Sequence, residues 1–256
     1  PEPDRLQLPV GAPSTLRAAL AQRDPYRPVL VMFGLPDGPA RYPDAGDVFL
    51  VGAAPVPYWP LETLATRVKA AVEEASGKPV WAVIQTHSRA DTGVRSASLR
   101  GSGRPPSPAE QRCLTYIALA AGARGIVYSA YSIAPTSQTR RYLIRTDAPE
   151  LWESVGRTNE ELAILAPYFL AADAPEPLDF SNTALHGAVF RHGKRALVIV
   201  VNPGLREASA EVRLPLTPEG PIKPLFGGGA DVGVAGDVLG GFFPPLTVSV
   251  CELGIR

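Results

Sequence analysis

Aromatic and imidazole side chains stand just beyond short apolar runs in the first half of the chain, and such residues can hold and orient a small ligand. Tyr58 and Trp59 follow the apolar residues 48–51. Their flat faces match the C–H-lined face of a sugar ring, although packing of their own loop would use the same surface. His87 stands just beyond the apolar run 80–84 and can orient a ligand through a ring nitrogen, or it can be a loop histidine with no such role. No second histidine lies nearby, so no metal site is expected. Tyr128 and Tyr131 bracket the end of the run 124–128, where one of them can reach a pocket floor. Arg95, Arg100 and Arg104 share one long loop, either contacting ligand hydroxyls and carboxylates or standing in solvent. Trp81 alternates with strand residues and reads as core. His186 and His192 read as hairpin surface.

Composition narrows the partners. The 256 residues are 45% apolar and 20% charged, enough for one large domain or two smaller ones. Twenty-five basic residues balance 25 acidic ones, which leaves no electrostatic footprint for nucleic acid or an anionic membrane and favours a small neutral ligand. No stretch approaches the ~18 apolar residues of a membrane span, and the N-terminal residues lack a signal-peptide pattern. Cys113 and Cys251 belong to no metal-binding or disulfide pattern and are expected as buried free thiols. No cofactor is expected, and the absence of a glycine-rich phosphate loop after any strand argues against a doubly wound open sheet.

The elements that must position these residues alternate strand and helix. Ser14 is expected to cap a first helix; apolar runs at 29–33, 48–51, 80–84 and 124–128 read as strands buried on both faces of a parallel sheet. Helices are expected from Pro60 to Gly77, from a Ser107 cap to Ala121, and over 149–165. Loops after the strands are long and carry Tyr, Trp, His, Arg and Gln, whereas turns after the helices are short. That asymmetry places function at the carboxyl ends of the strands, as in a barrel. Beyond Ala172 the pattern becomes all-β. Runs at 185–191 and 195–201 flank a His192-Gly193-Lys194 hairpin signal, followed by 208–214, 232–239 and 246–253, which predicts an antiparallel sandwich.

Several motifs in this order resemble bacterial glycoside hydrolases of the (β/α)8 superfamily. Asp24-Pro25-Tyr26-Arg27-Pro28-Val29 is similar to the entry of their fifth barrel strand, and Asp47-Val48 through Pro57-Tyr58 to their sixth. Lys78-Pro79-Val80-Trp81-Ala82-Val83-Ile84-Gln85 is similar to their seventh strand, and Pro108-Ala109-Glu110-Gln111-Arg112 through Tyr128-Ser129-Ala130-Tyr131 to the last helix and eighth strand. The resemblance implies an α/β fold with only the second half of the barrel, strands five to eight, over residues 1–171, and a β-sandwich over 172–256. Strands one to four would then be absent from the chain. It also implies a carbohydrate or glycoside ligand and a secreted or periplasmic location. If the half-barrel is the native unit, self-association through its open sheet edges is expected.

Glycoside hydrolysis uses two carboxyl groups, about 5 to 5.5 Å apart for retention and roughly 6.5 to 9.5 Å for inversion. By resemblance, Glu2 in Glu2-Pro3-Asp4 matches the fourth-strand exit that carries the acid/base carboxylate. The second carboxylate of many relatives ends the seventh strand, where this chain has Gln85, a neutral amide suited to binding. The expectation is hydrolysis of O-glycosidic bonds by the complete protein, with Glu2 catalytic and Tyr58, Trp59, Gln85, His87, Tyr128 and Tyr131 contacting substrate. The alternatives are a non-catalytic carbohydrate-binding or scaffold barrel, or a half-barrel that assembles with a partner.

Overall fold

The computed structural model describes residues 2–35, 37–92, 103–135, 139–171, 174–227 and 230–256, so Arg95 and Arg100 lie outside the described residues. The first part comprises, in chain order, α1 (Gly11–Arg23), β1 (Leu30–Phe33), α2 (Gly38–Arg41), β2 (Val48–Ala53), α3 (Glu62–Glu74), β3 (Val80–Gln85), α4 (Pro108–Ala120) and β4 (Gly125–Ser129). A short pairing of β5 (Ser132–Ile133) with β6 (Tyr142–Leu143) then leads into α5 (Ile144–Asp147) and α6 (Pro149–Phe169). The four longer strands form one parallel sheet in the order β1-β2-β3-β4. Its register sets Met32 beside Leu50, Leu50 beside Trp81, and Trp81 beside Gly125.

The two faces of this sheet differ. Phe33, Phe49, Val51, Val80, Ala82 and Ile84 share a core with Leu64 and Val68 of α3 and Ile117 of α4. Strand alternation puts Leu30, Met32, Leu50, Trp81, Val83 and Val127 on the opposite face. Among the described residues no element covers that face at its β1 edge, where Leu30 is 42% and Met32 37% exposed. Trp81 is therefore half-buried on the open face rather than in the core, with its indole over Gly125, where a Cβ would overlap it.

The remaining strands are β7 (Glu176–Pro177), β8 (His186–His192), β9 (Arg195–Asn202), β10 (Ala208–Arg213), β11 (Pro218–Leu225), β12 (Asp231–Ala235), β13 (Val238–Phe243) and β14 (Thr247–Ile255). They form a five-stranded sheet, β11-β14-β9-β8-β7, and a three-stranded sheet, β10-β13-β12, each with antiparallel neighbours. Alternate residues of the five-stranded sheet serve two cores. Phe190, Leu197, Ile199 and Val250 join the cluster around α4, while Val189, Val198, Val200 and Leu253 meet Val212, Leu239 and Phe243 of the smaller sheet. Helix α4 thus lies between two sheets, which explains why Gln111 and residues 113–120 are all buried.

Local chemistry accounts for the boundaries. Ser107 accepts the Glu110 N–H while the Glu110 carboxylate accepts the Ser107 N–H, closing a capping box at the start of α4. Arg104 holds the same carboxylate through two nitrogens, at 2.6 and 2.8 Å. The expected β8–β9 hairpin turns on Gly193, at φ +59°. Three expectations differ from the structure. Ser14 does not cap α1; it lies inside the helix and donates to the Gly11 carbonyl, a back-bond open to any helical serine. Helix α6 continues to Phe169, with Pro167 in its last turns. No strand is expected over 218–225, whereas β11, with Pro218, Pro221 and Pro224, is an edge strand with a register shift, where proline costs no needed hydrogen bond.

Candidate functional site

A cleft of about 570 Å³ opens at the carboxyl ends of the parallel strands, on the uncovered face of the sheet. Gln85, the last residue of β3, forms its floor and is 2% exposed. Its Oε1 accepts the Val56 N–H at 3.0 Å, and its Nε2 donates to the carbonyls of Val56 at 2.9 Å and His87 at 2.8 Å. One N–H and two C=O groups are the partner set of an amide. A carboxylate would face two carbonyl oxygens with no hydrogen to give. Gln85 therefore clasps the loops after β2 and β3 together, and both its amide hydrogens are committed within the chain.

That clasp fixes His87 at the cleft wall. Its Nδ1 is 2.8 Å from the Ser129 carbonyl, so Nδ1 carries the hydrogen and Nε2 of the neutral ring is an acceptor. Burial lowers the imidazole below its ordinary value, with the Arg89 charge acting the same way; the Ser129 hydrogen bond and Asp91 oppose this and do not reverse it. Trp59 stands opposite a guanidinium: Arg89 Cζ lies 4.6 Å from the indole centroid, and Arg89 Nη1 reaches the Ala54 carbonyl at 3.3 Å. Tyr58 meets Trp59 edge-on, with ring centroids 5.8 Å apart.

Glu2 reaches the cleft because the N-terminal segment is tied to the exit of β1. Asp4, buried, accepts the N–H groups of Gly34 at 3.2 Å and Leu35 at 2.6 Å, and Tyr42 donates its hydroxyl to the carbonyls of Pro3 and Leu8. Gly34 leaves room for the pair that Glu2 makes with Arg5, whose Nε is 2.5 Å from Oε2; a Cβ at Gly34 would overlap both side chains. Arg67 of α3 completes the wall, donating to the carbonyls of Gly34 and Gly52. Glu2 is the one carboxylate among the described lining residues. Among the described residues no group of three or more His, Cys, Asp or Glu side chains could hold a metal ion.

Of the residues singled out in the sequence, Glu2, Trp59, Gln85 and His87 line one cleft, and Tyr58 packs edge-on against Trp59. The two later tyrosines do not join them. Tyr128 points to the helix side of β4, packs on the core, and lies 3.4 Å from the Thr115 hydroxyl; burial pushes its phenol up to about 12. The pleat decides this, since Ser129, one residue on, faces the cleft instead. Tyr131 is 55% exposed and packs edge-on against Trp152 of α6. Arg104 is engaged with Glu110 at the start of α4. His186 belongs to β8 and is half-buried rather than on the hairpin surface. Sequence reasoning missed Arg5, Arg67 and Arg89. Arg67 sits on an amphipathic helix where charge reads as solvated face, and only the folded geometry turns it toward the strand ends.

No family model matches the sequence, and no curated protein is significantly similar to it. Solved structures do match in fold. The α-amylase of Geobacillus thermoleovorans, complexed with acarbose, superposes with a TM-score of 0.60 at 15% identity, over 97% of this chain and 58% of that one. An Anoxybacillus α-amylase gives 0.61 at 15% identity, over 97% and 57%. A β-L-arabinopyranosidase from Geobacillus stearothermophilus, in complex with arabinose, gives 0.58 at 12% identity, over 97% and 55%. The chain therefore has an α/β, glycoside-hydrolase-like fold over nearly its whole length, and it spans less than two thirds of the enzymes it matches.

Proposed function

We propose that this chain is the carbohydrate-binding, carboxyl-terminal portion of a glycoside-hydrolase-like protein. Residues 1–171 correspond to the second half of a (β/α)8 barrel and residues 172–256 to a β-sandwich closing it. The observation that carries this reading is the cleft at the strand exits, where Trp59, the His87 Nε2 acceptor and guanidinium donors converge on a glycosidase-like sheet. Flat aromatic surface and fixed polar groups are what a sugar ring requires. Hydrolysis by the complete protein needs a carboxyl group besides Glu2, and the described cleft lining offers none. This favours binding without bond cleavage by these 256 residues alone.

The apolar open face of the sheet supports the same assignment. Leu30 and Met32 are the residues that further parallel strands would cover in a closed barrel. The test is titration of the chain with an oligosaccharide array while Trp fluorescence and the His87 imidazole resonances are followed, together with an assay on aryl glycosides. Saturable shifts at His87 without turnover are expected; turnover by this chain would overturn the binding-only reading, and no shift with any sugar would remove the carbohydrate assignment. In a protein with the barrel completed, Glu2→Gln should abolish turnover and leave sugar affinity nearly unchanged.

A further inference from the structure

The net charge of zero hides a cleft that is locally cationic. Its described lining carries three guanidinium groups, Arg5, Arg67 and Arg89, against the single carboxylate of Glu2. Glu2 is already paired with Arg5. Among the described residues neither Arg67 nor Arg89 has a carboxylate within ion-pairing distance. Each is oriented instead by backbone carbonyls, Arg67 by Gly34 and Gly52 and Arg89 by Ala54, which fix the fork without neutralising it. Asp91 lies near His87 but accepts the Ser88 N–H and makes no pair with Arg89. Residues 93–102, outside the described part, contain no Asp or Glu that could act as a hidden counter-ion.

Two part-buried, oriented and uncompensated guanidinium groups at a sugar-sized cleft are a preformed receptor for a planar anion. We infer that the carbohydrate taken by this cleft is acidic, a chain containing uronic acid residues whose carboxylates meet Arg89 and Arg67. Arg89, held over the Trp59 indole, would meet the carboxylate of the uronate. The inference rests on the carbohydrate reading above and narrows it, because neutral sugars supply hydroxyls to the cleft but leave both charges unpaired.

Oligomers of galacturonate, glucuronate and mannuronate, each beside its carboxyl-reduced neutral form, separate the two readings when titrated calorimetrically into the 256-residue chain. At least one uronate should bind about tenfold or more tightly than its reduced form, since a charge-assisted pair is roughly twice as strong as a neutral hydrogen bond. The gap should narrow when salt is raised from ~0.05 to ~0.5 M. Arg89→Gln should remove most of the preference and Arg89→Lys should keep part of it. Arg67→Gln provides a second variant should Arg89→Gln lose its circular-dichroism signature. Equal binding of acidic and reduced forms, or binding of the neutral forms only, overturns the acidic ligand and leaves the carbohydrate reading standing. Binding of neither removes both.

Discussion

Gln85 does its work through three hydrogen bonds to backbone groups, and its neighbours are buried with it. Gln85→Leu would strand the Val56 N–H and two carbonyls, so a loss of about 3 kcal/mol in unfolding free energy is expected from urea denaturation. A loss below about 0.5 kcal/mol would mean that solvent satisfies those groups instead. His87 supplies a pH signature. Its folded pKa lies below the ordinary 6.5, chiefly through burial, and so does that of His186. The unfolded chain therefore takes up protons first as pH falls. The histidine contribution to stability is full above about 6.5, is lost as pH drops through that value, and levels off below the folded pKa values. His87→Gln should shallow that decline in denaturation curves taken across the range, and His87→Gln with His186→Gln should shallow it further. An unchanged slope in both would place the titration elsewhere.

Among the helices, α4 carries the strongest local signals and the heaviest burial. Its start is fixed by Ser107 and Glu110, with Arg104 on the same carboxylate. Burial by itself would raise the Glu110 carboxyl, but Arg104 and the Ser107 N–H hold it below the usual range. Ser107→Ala removes one half of the box and should cost about 1 kcal/mol, read as a lower midpoint in thermal or urea unfolding. The ion pair of Glu110 with Arg104 should survive that change, so Ser107→Ala with Arg104→Ala should cost more than either alone. At the other extreme, α1 buries only Pro13 of its thirteen residues and is held to the body through Arg17 and Asp47. Hydrogen bonds from Val29 and Arg17 keep the Asp47 carboxyl below its ordinary value, which fixes the turn into β2. Leu16 and Leu20 of α1 remain exposed.

On the scale of the whole molecule, the cluster around α4 joins the parallel sheet to the five-stranded antiparallel sheet. Phe190 of β8 packs edge-on against Phe169 of α6, with ring centroids 5.1 Å apart. Arg112 of α4 ties Glu161 of α6, at 2.9 Å, to the Val248 carbonyl of β14, and Tyr116 donates to the same Glu161. Because these contacts cross between the two halves, one cooperative thermal transition is expected rather than two. Phe190→Ala should lower stability by about 3 to 5 kcal/mol and keep the transition single. Two separate transitions in calorimetry would show that the two parts unfold independently.

The sequence by itself determined the order of the four parallel strands and of the longer helices between them, the change to an all-β pattern near residue 172, the Ser107 cap of α4 and the hairpin at Gly193. Each depends on residues adjacent along the chain, through apolar periodicity, a cap three residues away, or a glycine in a tight turn. It also brought Trp59, Gln85 and His87 to one end of the sheet, because strand exits collect at the same edge of a parallel sheet, whereas Glu2 joins them through the bonds of Asp4 to the exit of β1. Only the tertiary structure decided which way their neighbours point. Tyr128 faces helices and Ser129 the cleft because the pleat reverses at every residue, and a proline-rich β11 is a strand because it lies at a sheet edge. The cationic wall was hidden for the same reason: Arg5, Arg67 and Arg89 are far apart in sequence, and their charges add only where the fold sets them around one cleft.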